Sequence, residues 1–161
     1  MDVPVLTRSS VGAGASLDST LMQAHELTSA AYEALGLSAQ EAAQAAADGG
    51  MVLNGALVTV APLPIGNLTG RERDSAFMIT VETPYRMDEI APEAAVDMLS
   101  HGPGLLAAFG AALGCQPDGA IVLHRKLDAH DASAATLAHE MLTTQQLVQL
   151  LWGNTDTSKE Q

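Results

Sequence analysis

Five histidines and one cysteine are the residues most readily put to catalytic or metal-binding use, so their spacing comes first. His139-Glu140 opens like the His-Glu-x-x-His helix motif, in which two histidines one turn apart hold zinc and the glutamate acts as base. Thr143 stands where the second histidine is required, so the motif fails. His124 and His130 have no cysteine or carboxylate set around them at zinc-ligand spacing. Cys115 would need a base and an orienting group to act as a nucleophile, and neither is identifiable. No Gly-x-Ser-x-Gly elbow or phosphate loop occurs, and Gly12-Ala13-Gly14 lacks the preceding strand and the third glycine of a dinucleotide site. Asn67-Leu68-Thr69 matches a glycosylation sequon, which carries no meaning without an export signal. One enzymatic arrangement is left, a hydrolase or isomerase using His124 with Asp128 or Asp131, and its test is a pH-rate profile lost on His124→Ala. The expectation is a non-catalytic protein with no metal and no cofactor.

Composition narrows the partners. At 161 residues and 47% hydrophobic content the chain can bury one core. Nineteen acidic residues against seven basic give a net charge of −12, a field that repels phosphate backbones and anionic membranes. No nucleic acid and no membrane insertion are expected, and a basic or amphipathic polypeptide is the better partner. No run of 18 apolar residues is present, and Met1 to Ser16 lacks the apolar core of a secretory signal. With a single cysteine, these features point to the cytoplasm. Aromatic residues are only 3%, so the core must be aliphatic.

The elements that would position any site follow from pattern. Residues 1–16 read as a flexible arm, with Val11 to Ser16 rich in glycine and alanine. Leu17, Leu21, Ala24, Thr28, Ala31 and Leu35 form one helical stripe closed by Gly36. Ser38 and Glu41 have capping-box spacing and start an alanine-rich turn or two that Gly49-Gly50 ends. Asn54-Gly55 between Met51-Val52-Leu53 and Ala56 to Ala61 signals a hairpin with a type I′ turn. Pro62, Pro64, Gly66, Asn67 and Gly70 predict a long exposed loop, followed by a third strand carrying Phe77, Ile79 and Val81 on one face. Pro84 and Pro92 bracket a connector, Pro92 opens a helix through Met98 and Leu99, and Gly102-Pro103-Gly104 ends it. Pro117-Asp118-Gly119 is a turn between two strands. The second has Ile121, Leu123 and Leu127 on one side and Val122, His124 and Lys126 on the other. The first, Phe109 to Cys115, alternates like a strand although its alanine content equally suits a short helix. Asp131-Ala132-Ser133 then offers N-caps for a helix with Leu137, Met141, Thr144, Val148 and Leu151 on its apolar face. The fold class is α+β with an antiparallel sheet in the order α-β-β-β-α-β-β-α, one domain over 17–152, and a polar tail over 153–161.

Met51, Met78, Met87 and Met98 offer adaptable apolar contacts or ordinary core filling. With this order of elements, the chain resembles the class I type III secretion chaperones, the Tir-chaperone family. The likeness covers about residues 17–152. It rests most on Gly110-Ala111-Ala112-Leu113-Gly114, Pro117-Asp118-Gly119 and Val122-Leu123-His124-Arg125-Lys126-Leu127, which look like the family's last hairpin ahead of its C-terminal helix. The resemblance implies a cytoplasmic homodimer, active in virulence-associated protein transport. Such a protein binds the N-terminal region of secreted effectors, keeps it secretion-competent and delivers it to the export apparatus through its ATPase or export gate. It implies effector contacts at Leu21, Leu35, Leu37, Val52, Leu53, Val58, Ile79 and Val81, and a dimer seam at Met98, Leu99, Leu105, Leu106 and Phe109. The alanine-rich Ser38 to Asp48 segment and the Gly102-Pro103-Gly104 break depart from the family pattern. The alternative is a non-catalytic regulatory or assembly module of the same fold that binds another protein.

Overall fold

Asn54 and Gly55 take φ of +50° and +84°, the paired left-handed conformations of a type I′ turn, and so fold Gly50–Leu53 (β1) onto Ala56–Leu63 (β2). The computed structural model describes residues 13–63 and 76–153, with side chains from Leu21 onward. Ahead of the hairpin lie α1 (Ala13–Ala34) and α2 (Ala39–Asp48), and after it β3 (Ala76–Arg86), α3 (Pro92–Ser100) and α4 (Gly102–Phe109). Then come β4 (Ala111–Cys115), β5 (Ala120–Asp128), a 3-10 turn at Ala129–Asp131, and α5 (Ala134–Trp152). The class is α+β. The five strands form one antiparallel sheet in the order β1-β2-β3-β5-β4.

Local chemistry sets the helix ends. Ser38 and Ser133 both close capping boxes, with Glu41 and Thr136 returning the second bond, so orphan N–H groups at the starts of α2 and α5 are satisfied. The Glu41 carboxyl is held below its usual range by the hydrogen bonds from the Ser38 side chain and backbone. Pro92 opens α3 without a side-chain cap. Gly49 ends α2 in the left-handed conformation that its missing Cβ allows.

Several boundaries differ from the sequence reading. Ala13–Ser16, placed in the arm, are the first turn of α1, while residues 1–12 lie outside the described residues. Most of the predicted loop also lies outside them, but Pro62 belongs to β2, opposite Phe77. Proline is tolerated there because it sits near the strand end, where losing one ladder hydrogen bond costs little. β3 runs on through Pro84 to Arg86 by shifting register between Glu82 and Arg86. Gly102-Pro103-Gly104 does not end helical structure: it breaks one helix and opens the next, with proline in the first turn of α4. Phe109 is therefore the last residue of a helix, not the start of a strand, and Gly110 at φ +62° reverses the chain into β4. Helix propensity decides Leu105 to Phe109; strand pairing begins only after the glycine.

The core lies between one face of the sheet and the helices α1 and α5. Val58, Ile79, Val81 and Leu123 point into it from adjacent strands, and Leu137, Met141 and Val148 meet them from α5. Each such side chain contributes about 1.5–3 kcal/mol on full burial. Thr28 and Thr144, also buried, spend their hydroxyls on the carbonyls of Ala24 and Glu140 one turn back. Arg125 occupies a core-face position of β5 and is neutralised there by Glu140 of α5 at 2.9 Å. Glu140 thus belongs to an ion pair rather than to a zinc-protease motif. Val122 on the other face is also fully shielded, so the first half of β5 is buried on both sides.

With Gln145 on α5, Tyr32 is one of two exceptions to this satisfied interior among the described residues. Its ring is 0% exposed and its hydroxyl has no hydrogen-bond partner among the described residues. Burial pushes its pKa from 10.0 up to about 12. The phenol is the favoured form in the fold, so its stabilisation is whole below pH 10 and is lost as pH rises from 10 towards 12. The loss amounts to about 2–3 kcal/mol at 1.36 kcal/mol per pKa unit. Tyr32→Phe is expected to gain about 1 kcal/mol near neutrality and to remove that alkaline loss, as read by urea unfolding at pH 8 and pH 11.5. An unchanged alkaline slope would show that another group carries it.

Candidate functional site

The residues proposed from sequence fall into three environments. Val58, Ile79 and Val81 are 0% exposed and cannot meet a partner while the sheet is intact. This corrects their assignment to a contact patch: alternation places them on one face, and that face is the one the helices cover. Leu35, Leu37 and Leu53 are half-buried and pack against the core from outside. Leu21 and Val52 are open to solvent, and Met22 beside Leu21 adds to them. Val52 is on β1, an edge strand whose outer side has no neighbouring strand among the described residues. Leu21 extends the buried stripe of Ala24, Thr28 and Tyr32 one turn beyond the point where the core ends.

The proposed seam divides in the same way. Leu105 is buried in the core cluster against Ala111 and its neighbours, so it is an internal residue rather than a contact. Met98 is half-buried, while Leu99, Leu106 and Phe109 are exposed, and Val96 joins them. Together α3 and α4 stand off from the C-terminal end of α5 and leave a groove of about 680 Å³. Its walls include Ile90, Met98, Phe109, Leu151 and Trp152, with Asp97 and His101 as polar members. Sequence reasoning missed Val96, Leu150 and Leu151 as open apolar residues, although their helical spacing was visible.

The candidate catalytic groups are not brought together. His124 lies four residues from Asp128 along a strand, roughly 13 Å at about 3.3 Å per residue, and its Nδ1 is 2.8 Å from the Thr80 hydroxyl. Burial lowers its pKa from 6.5, so the imidazole is neutral at pH 7, and its contribution to stability falls away as pH drops below that value. Gly114 on β4 makes room for this ring: a Cβ there would come within 2.6 Å of Nε2. Gly114→Ala is expected to cost about 1–3 kcal/mol by overpacking. Adding His124→Ser should recover most of it in denaturant melts, and no recovery would place the clash elsewhere.

Asp128 and Asp131 instead group with His130, their ligand-type atoms all within 4.8 Å of one another at the exposed end of β5. Lys126 already holds one Asp128 oxygen at 2.6 Å and, by that hydrogen bond first, draws the carboxyl below its usual range. The arrangement reads as a salt-bridged strand end. Cys115 is exposed at the end of β4. Among the described residues, no helix is long and apolar enough to cross a membrane. No family model matches the chain, and no curated protein matches it.

Proposed function

We propose that the chain is a non-catalytic polypeptide-binding protein, a chaperone of the class I type III secretion kind, which works as a cytoplasmic homodimer. It keeps the N-terminal region of a secreted effector unfolded for export. The observation that carries this reading is that most of its open apolar residues gather on two different sets of elements, with Met87, Leu150 and Leu151 outside both. Leu21, Met22 and Val52 belong to α1 and the β1 edge, whereas Val96, Leu99, Leu106 and Phe109 belong to α3 and α4. One group suits an extended partner, because an edge strand can accept a further strand and apolar neighbours can take its side chains. The other suits a second copy, because a two-fold seam needs one self-complementary patch per subunit.

Charge supports a basic segment as the partner. No lysine or arginine stands between Arg8 and Arg71, so α1, α2 and the first hairpin present acidic groups alone. The three described cations, Arg86, Arg125 and Lys126, are each within ion-pair distance of a carboxylate. Such a field speeds encounter with a basic chain and disfavours an acidic one.

The test is light scattering after size exclusion, on the protein alone and after co-expression with secreted proteins encoded beside its gene. A particle near twice 16.6 kDa that retains one such protein at two copies to one is the expected result. A monomer that retains none overturns the proposal.

A further inference from the structure

Past the Val58–Val81 pair, β2 and β3 part, β2 turning at Asn54-Gly55 and β3 shifting register beyond Glu82. The opening between them is a cleft of about 210 Å³, floored by α5 through Gln145, Val148 and Gln149. At roughly 30 Å³ per water this is the room of about seven waters, enough for the end of one side chain and below a drug-sized site. Gln145 is 0% exposed in the buried stripe of α5, where a leucine would cost nothing in desolvation. Its Oε1 accepts a hydrogen bond of 3.2 Å from Asn54 Nδ2, and its Nε2 has no partner among the described residues. Turning both carboxamides over would keep one bond and leave Gln145 Oε1 open instead, so in either sense one end of a buried amide is unused.

We infer that this cleft is a binding subsite for a primary carboxamide, the side chain of an asparagine or glutamine in a bound polypeptide. A carboxamide brings a donor and an acceptor together, which the open end of Gln145 requires in either sense. Gln149, exposed on α5 where it also lines the cleft, is available for its remaining groups. The Asn54 carboxamide lies over Gln145 from the exposed turn and is the internal stand-in for the ligand. Binding exchanges that contact for one from the partner, which is how a group closed to solvent becomes reachable. The inference is independent of any role in secretion, and its failure would leave the proposed function untouched.

The experiment titrates acetamide into the full-length, nitrogen-15-labelled protein and follows the side-chain NH2 signal of Gln145. A saturating shift is expected. Asn54→Gly, which keeps the left-handed turn and removes the stand-in, should tighten the response by about tenfold, the worth of one net hydrogen bond. In Gln145→Met, which lacks that signal, the backbone amides of Val148 and Gln149 are followed instead; they should shift with acetamide in the parent and not in the variant, while the rest of the spectrum stays native. N-methylacetamide and acetate are the comparison probes. A response to N-methylacetamide as strong as to acetamide would assign the cleft to peptide backbone and overturn the side-chain assignment. A Gln145 signal that acetamide leaves unmoved in both the parent and Asn54→Gly, or that acetate moves equally, overturns the subsite altogether.

Discussion

Val81→Asp is expected to abolish cooperative folding, whereas Val52→Asp is expected to change stability by no more than about 0.5 kcal/mol. The two valines belong to one hydrophobic pattern in the sequence, yet the fold treats them oppositely. Val81 is 0% exposed, paired with Val58 on one side and Leu123 on the other in the middle of the sheet. Among the described residues, the cation on the same face of the sheet, Arg125, is already bound to Glu140 and is not free to meet a carboxylate there. Leaving an uncompensated charge in a core costs on the order of 3–5 kcal/mol, added here to the lost burial of about 2 kcal/mol. Against the 5–15 kcal/mol that holds a domain of this size together, that is most or all of the margin. Val52 is 68% exposed on an edge strand, where an added carboxylate remains in water and also discourages edge-to-edge aggregation. Circular dichroism melts of the two variants decide the matter. A native-like transition in Val81→Asp would mean that this face of the sheet is open. For Val52→Asp, a native melt with lost partner retention is the outcome that fits the proposed function.

This contrast also shows what could be read from the chain and what could not. Period-2 alternation correctly groups Ile79 with Val81 and Leu123 with Ile121, because side-chain direction is a property of the strand alone. Which face the helices cover is a property of the whole fold, so residues chosen as a binding patch turned out to be core. Turns and caps were legible wherever the chemistry is local. Asn54-Gly55, Ser38 with Glu41, and Ser133 all act within four residues of themselves. Leu105 to Phe109 was not legible, since Leu-Leu-Ala-Ala-Phe satisfies both periods and the decision lies in Gly110, which accepts a positive φ and separates helix from strand. The Arg125–Glu140 pair and the Asn54–Gln145 contact were beyond any local pattern: their partners are 15 and 91 positions apart, and only packing of α5 on the sheet unites them.

If the proposed homodimer forms through α3 and α4, the double variant Leu106→Glu with Phe109→Glu is expected to turn it into a folded monomer, raising its dissociation constant by about three orders of magnitude or more. Leu106 is 61% and Phe109 45% exposed in the single chain, so neither substitution removes much from its own core, while the neighbouring Leu105 remains buried and untouched. Around a two-fold axis each substitution acts twice. Losing four apolar side chains at about 1–1.5 kcal/mol each, a part of their full burial value because they are only partly covered, gives about 4–6 kcal/mol. That range corresponds to about 10³–10⁴ in affinity. Repulsion adds to it. Asp97 lines the same groove as Phe109, and Glu93 lies one turn before Asp97 on α3, so the seam brings like charges towards each other, and new carboxylates deepen a penalty that salt would relieve. A parent dimer joined at this seam should therefore tighten as ionic strength rises, opposite to what an interface built on ion pairs would do. Light scattering across a dilution series, at low and high salt, measures both effects. A double variant that remains dimeric with a native melt would move the seam away from α3 and α4, and the edge strand β4, with Cys115 exposed at its end, would become the next surface to test.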